Sequence, residues 1–275
     1  MAKSSRRARS ARTKPAAPAQ RLGPPDPKFR GPFRPFASDP GWSEAWWWLG
    51  IPVVAAIFVV ASFAIDPAWH RHWVTREGPG ALETAQFILM VIGFAIAVQL
   101  LFDPFVRRRP FVLAVTSVSA LSCLYIAGEE VSWGQHIFFW QEPSLLSEVN
   151  DEGELSIHNM NKAFERTPRT LLELWVVIGG LVAPALCWFR PRLRQSRVAL
   201  FLPAAILVPT TLFMLSFKLD GALSKFTGAN YLSARPSEAV EFYLYFFILA
   251  YLILFERRIH ELETDDVGAN ATTGH

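Results

Sequence analysis

The sequence predicts an all-α, polytopic membrane helix bundle of about six transmembrane helices, with both termini on the cytoplasmic side. Three observations carry this. Of the 275 residues 51% are apolar, and they fall in long runs. Residues 1–43 are the reverse: ten Lys/Arg, two Asp and eight Pro give them a charge of +8, leaving −5 on the rest of a chain whose net charge is +3. The remaining Lys/Arg gather on alternate loops. This combination excludes a soluble globular enzyme, a disulfide-built scaffold and a wholly disordered chain.

The elements follow in order. Segment 1–43 has too few apolar residues to bury a core and reads as a disordered, basic, Pro-rich cytoplasmic tail that sets topology and touches anionic lipid. Arg6, Arg7, Arg9 and Arg12 lack aromatic interleaving or a folded module, so nucleic acid is not an expected partner. A membrane helix needs about 20 apolar residues. The first run covers 45–65, with Trp46, Trp47 and Trp48 as an interfacial belt. The second covers 82–102, and the third 110–130, opened by Pro110 at a first-turn position. An outer loop spans 131–169. The fourth run, 170–189, reaches full length only by taking in Glu173, and the sixth, 237–255, only with Glu238 and Glu241. The fifth is 198–217, and Pro184, Pro203 and Pro209 are expected to kink the fourth and fifth. The membrane domain is thus 44–258, followed by a short cytoplasmic tail, 259–275. Cys123 and Cys187 lie inside apolar runs without metal-ligand spacing and read as small fillers.

Orientation comes from the basic residues. With the N-terminus inside, the tail, Arg107–Arg109, Arg190–Arg197 and Arg257–Arg258 place 19 of the 27 Lys/Arg on the cytoplasmic side. The protein is therefore expected to cross its membrane N-in and C-in.

The acids then gather at the outer boundary: Glu83, Glu129, Glu130, Glu173, Asp220, Glu238 and Glu241. One acid could snorkel, but seven at one level are expected to face one another, with protons, cations or a metal relieving their repulsion. His136, His158, Lys218 and Arg235 are the candidate cations. In Gly128-Glu129-Glu130-Val131-Ser132-Trp133-Gly134-Gln135-His136, a continued helix would put Glu129, Ser132 or Trp133, and His136 on one face, with Gly134 open to a close neighbour. In the outer loop Glu154 and His158 are i, i+4, a spacing that suits a general acid–base pair or two metal ligands. Glu238 and Glu241 share a face of the last helix. His70 and His72 read as a solvated loop pair rather than metal ligands.

The string Gly-Glu-Glu-Val-Ser-Trp-Gly-Gln at 128–135, with Gly-Glu-x-x-x-His-Asn at 153–159 and Glu77-Gly78-Pro79 before Glu83, resembles a family of uncharacterised bacterial multi-pass inner-membrane proteins. That resemblance implies no activity. Ser132-x-x-x-His136 is similar to a motif of the alkaline-ceramidase-like seven-span hydrolases, yet here the last span has Glu where that family has His. Glu129-Glu130 is similar to the opening of the CAAX-protease-like membrane motif, which continues to an Arg where this chain has Gln135. No role is carried over from either.

The reading from residues is a membrane-embedded hydrolase or transferase working on a lipid or lipid-linked substrate. Glu129, Glu130, His136, Glu154, His158, Glu238 and Glu241 are its expected catalytic residues. A divalent metal such as zinc is assigned to His136, His158 and Glu130. A structural polar lock and an ion-coupled transporter are the alternatives.

Overall fold

The computed structural model describes residues 36, 38–76, 80–134, 162–194 and 196–272. Among these residues there is no strand, and six segments are long and apolar enough to cross a membrane: Trp42–Ile65, Ala81–Phe102, Pro110–Glu130, Pro168–Phe189, Val198–Thr227 and Pro236–Thr264. The expected all-α architecture and the number of spans are therefore observed.

The helices are α1 (Gly50–Ile65), α2 (Ala81–Phe102), α3 (Pro110–Glu130), α4 (Lys162–Val177), α5 (Ala183–Phe189), α6 (Val208–Thr227) and α7 (Pro236–Thr272). Helix α7 is the hub. It packs on α2 and α6, and α3 lies along α2. Its inward residues, among them Tyr243, Leu244, Phe247, Ala250 and Leu254, are almost wholly buried. Tyr243 stacks against Phe213 and Phe217 of α6, and its hydroxyl donates to the Pro52 carbonyl of α1 at 2.9 Å. Gly93 lets three helices meet, because a Cβ there would lie 3.2 Å from Cys123 Sγ and 3.4 Å from Leu252. By contrast, Ile51, Val54, Ile57, Ile88, Val91, Val118 and Leu121 are exposed. Such large apolar side chains on the outside of the bundle suit lipid tails, not water.

Pro184 and Pro203 lie at interruptions of spans four and five as expected, whereas Pro209 opens α6 from its first turn without kinking it. Pro184 has no N–H for the Gly180 carbonyl, and its ring crowds that carbonyl; the helix widens into a π-turn over Ile178–Val182 just before it. Span five unwinds more fully. A 3₁₀ turn over Arg197–Phe201, an extended link at 202–204 and a second 3₁₀ turn over Ala205–Leu207 precede α6. Its carbonyls are met by α7: Arg258 Nη1 donates to those of Ala199, Leu200 and Leu202, and the Tyr251 hydroxyl to that of Phe201. Helix α6 ends on Gly228, whose φ of 73° closes the last turn in the left-handed conformation.

Both ends of the membrane domain differ from the sequence expectation. Phe36 and Asp39, placed by sequence in the tail, are buried beneath the bundle, where Asp39 pairs with Arg258 and the Ser38 amide donates to Glu261 at 2.8 Å. Helix α7 runs through 259 to Thr272, and Ile259 and Leu262 pack with Phe36, Leu100 and Phe105. Amphipathic continuation of α7 supplies the apolar surface on which the N-terminal segment docks.

Candidate functional site

The bundle has one arginine-rich end, with Arg107, Arg108, Arg190 and Arg192 exposed, and one carboxylate end. At the carboxylate end, α2 contributes Glu83 and Gln86 from its first two turns. Helix α3 contributes Glu129 and Glu130 from its last turn, α4 Arg169 and Glu173, α6 Lys218, and α7 Glu238, Glu241 and Tyr245.

Their contacts divide this end into two linked parts. Arg169 is the central cation. Its Nη1 lies 2.5 Å from Glu241 Oε1, its Nε 3.5 Å from Glu173 Oε1, and its Nη2 reaches the Ser237 carbonyl at 3.5 Å. Lys218 pairs with the other oxygen of Glu173. Beside this ion-paired part, Glu130 shares a hydrogen bond with the Tyr245 hydroxyl and feels the charges of Glu241, Glu83 and Glu238. Gln86, fully buried, donates from Nε2 to the Glu238 carbonyl at 2.8 Å; its Oε1 is buried with no hydrogen-bond partner. Glu130, Glu238 and Glu241 are thus brought together, and Glu83 with them.

Glu129 turns away from that group. It accepts from Trp133 Nε1 at 2.6 Å. The continued helix expected through residue 136 stops at Glu130, because Ser132, Trp133 and Gly134 have φ of 45°, 52° and 90°. This left-handed run folds the Trp133 indole back onto α3, where a Cβ on Gly128 would come within 2.9 Å of the ring. The close approach thus falls at Gly128, not Gly134. Two non-glycine residues with positive φ carry strain of roughly 1–3 kcal/mol each, a cost that tends to collect at functional turns.

His136, Glu154 and His158 lie outside the described residues, as does any joint geometry of His136, His158 and Glu130. Among the described residues, a histidine–carboxylate trio close enough to share a metal lies at the opposite end: His260 Nδ1 is 4.0 Å from Asp103 and 3.9 Å from Glu263, and the imidazole is half exposed.

Three other assignments shift. Asp220 does not join the carboxylate group; it accepts the amides of Tyr231 and Leu232 at 2.8 and 3.1 Å and so shapes the 228–235 turn. Arg235 donates to the Thr75 carbonyl. His72 is exposed as expected, but His70 is fully buried, with Nδ1 2.8 Å from Ser62 Oγ and Nε2 3.1 Å from Ser233 Oγ.

Sequence reasoning missed Arg169 and Tyr245. Both had a local signal: Arg169 is i, i+4 with Glu173, and Tyr245 is i, i+4 with Glu241. Neither a protein-family model, a curated protein nor a solved structure matches the chain.

Proposed function

We propose that this protein is a membrane-embedded enzyme, a hydrolase or transferase. In this reading it works at the outer face of a bacterial inner membrane on a lipid or lipid-linked substrate. The supporting observation is the Glu130–Tyr245 hydrogen bond, set among Glu83, Glu238 and Glu241 at the helix ends from which segment 135–161 departs. The Lys/Arg bias of the loops supports an outward orientation of this end in this reading.

In this reading Glu130 is the general acid–base and exchanges its proton along the Tyr245 hydroxyl. Arg169 and Glu241 hold α4 and α7 at the working separation. Glu129, through Trp133, aims the chain into the segment that carries His136, Glu154 and His158. Gln86 Oε1 is a buried acceptor for a substrate hydroxyl or amide. Glu130 offers a carboxylate oxygen of the kind zinc takes, and its bond to Tyr245 is the support such a ligand needs. In a metal-bound form it would, with His136 and His158, hold a divalent metal in place of its proton-transfer role, and the metal would supply polarisation of an ester or phosphoryl oxygen.

The test is reconstitution in liposomes of host lipid extract, with mass spectrometry of the lipids over time. Wild type is expected to convert one lipid class, and Glu130→Gln and Tyr245→Phe to leave it at background. An unchanged lipid profile with wild type, or variants as active as wild type, would sink the enzyme reading. The metal is tested separately on protein purified without a polyhistidine tag. Near-stoichiometric zinc is expected in wild type and little in His136→Ala/His158→Ala; equal content in the two removes the metal from the reading.

Two other readings have their own support. Arg169 and Lys218 bond to partners on other helices, as in a purely structural lock, for which Glu130→Gln would shift the melting temperature without any lipid product. The unwound start of span five, beside the π-turn of span four, is the kind of broken helix that ion-coupled carriers use.

A further inference from the structure

His70 sits at the head of a π-helical turn, His70–Val74, which follows α1. The turn at 228–235 lies against it and leads directly into α7. The two are joined by one side-chain chain, Ser62–His70–Ser233, and the hydrogens in it can be assigned by counting donors.

Ser62 has one hydroxyl hydrogen, and it goes to the Val59 carbonyl at 3.0 Å. With that hydrogen so placed, Ser62 accepts from His70, which corresponds to the neutral tautomer with a hydrogen on Nδ1 and a bare Nε2. The bare Nε2 accepts from the Ser233 hydroxyl, and Ser233 Oγ in turn accepts from the Arg235 amide at 3.3 Å. Every group is satisfied by one neutral tautomer. His70 and Ser233 are both fully buried, and the Phe63 ring lies 5.5 Å from the imidazole.

A proton on Nε2 reverses the bond to Ser233. Ser233 Oγ would then accept from both Nε2 and the Arg235 amide, its own hydrogen would lose the imidazole as acceptor, and a full charge would sit in a buried site. Among the described residues, the side chains that bond to the imidazole are the two serines, neither of them a carboxylate. Asp66, between α1 and this turn, accepts from the Ala68 and Trp69 amides. Asp220 of α6 is engaged by the Tyr231 and Leu232 amides, and Glu83 of α2 couples to Glu130. The remaining charged groups are cations or a second imidazole: Arg235 on the Thr75 carbonyl, and Arg71, His72 and Arg76, which are exposed. Burial holds the His70 imidazole below its usual value of 6.5.

We propose that His70 is an acid-sensitive latch: neutral, it fastens the 228–235 turn to the end of α1, and protonated, it releases that turn and loosens the start of α7 that carries Glu238 and Glu241. This makes it a regulator of the carboxylate end and rests, for its functional meaning, on the reading of that end as the working site. The sign follows from linkage. The opened turn binds a proton more readily than the closed one. The latch is therefore at full strength above the ordinary imidazole value and weakens as pH falls from there toward the depressed value of the closed state, by up to about tenfold in the opening constant per pH unit.

The experiment is hydrogen–deuterium exchange of the full chain in lipid nanodiscs between pH 7.5 and 5.0, corrected for the intrinsic exchange rate at each pH. Peptides covering 66–76 and 228–236 are expected to gain several-fold in corrected exchange as pH falls, while peptides from the middle of α7 do not. His70→Gln, which cannot be charged, should give the same exchange at both pH values. Ser233→Ala should exchange rapidly at both. A pH-independent wild type, or an acid step that persists in His70→Gln, overturns the latch. Glu130→Gln should retain the acid step, so a failure of the enzyme reading would appear in lipid conversion alone and not here.

Discussion

Replacing Arg258 with methionine is expected to destabilise the protein by about 3–5 kcal/mol, because it leaves a buried carboxylate without its cation. Arg258 is 1% exposed and Asp39 wholly enclosed, and they meet in a two-pronged contact, Nε to Oδ1 at 2.7 Å and Nη2 to Oδ2 at 3.0 Å. The third nitrogen holds the carbonyls of Ala199, Leu200 and Leu202. The Phe36 ring lies 4.9 Å from the guanidinium carbon. One side chain therefore secures three things: the N-terminal segment, the unwound start of span five, and the arginine-rich end of α7. In a membrane the freed carbonyls have no water to turn to. Thermal melts of detergent-solubilised protein are the measurement. Asp39→Asn should cost less, because it keeps a hydrogen-bonding side chain and removes the charge. Arg258→Met combined with Asp39→Leu should recover part of the loss, since a buried pair replaced whole by apolar groups is often close to neutral. If Arg258→Met melts within a degree of wild type, the pair is not holding the segment.

The second large effect is expected at Gly180. A Cβ there would lie 1.9 Å from Thr211 Oγ1, 2.8 Å from Thr211 Cβ and 3.1 Å from the Phe247 ring. Thr211 is fully buried and donates to the Leu207 carbonyl at 3.1 Å, so it cannot swing aside without losing that bond. Gly180→Ala should cost about 1–3 kcal/mol by forcing α6 away from the π-turn. Gly221→Ala is the control, because the nearest atom, Pro236 Cβ, is 3.5 Å away in ordinary contact. Adding Thr211→Ala to Gly180→Ala removes the closest clash and should restore part of the melting temperature. Equal melts for Gly180→Ala and Gly221→Ala would mean that the two spans are not packed this closely.

Both effects arise where prolines interrupt spans four and five. The sequence indicated a disturbance at Pro184, Pro203 and Pro209, but not its form. Pro184 produces a widened turn that stays helical, whereas the stretch holding Pro203 is unwound. The difference lies in the neighbours. Arg258 and Tyr251 are placed to donate to carbonyls of 199–202, so unwinding there leaves few polar groups unmet.

The same division holds for the candidate site. That Glu130, Glu238 and Glu241 share one end of the bundle was legible, because each lies at a known end of a span and alternate spans run in opposite directions. Which acids face one another was not. Glu129 and Glu130 are adjacent in sequence, yet one meets Trp133 and the other Tyr245. Asp220 is level with the group but shapes a turn instead. His70 and His72 stand two residues apart, one enclosed and one exposed.

By itself the sequence determined the all-α class, the six spans and the separation of arginines from carboxylates. These depend on the length, polarity and order of segments, which are properties of the chain read along one dimension. The tertiary structure alone decided that Arg169 is the central cation and that Tyr245 meets Glu130. It also decided that Arg258 is a buried clamp and that His70 is enclosed between Ser62 and Ser233. Each of these depends on which helix faces are packed together. A side chain's partner, and whether water reaches it, is set by neighbours far away in sequence, so no local pattern encodes it.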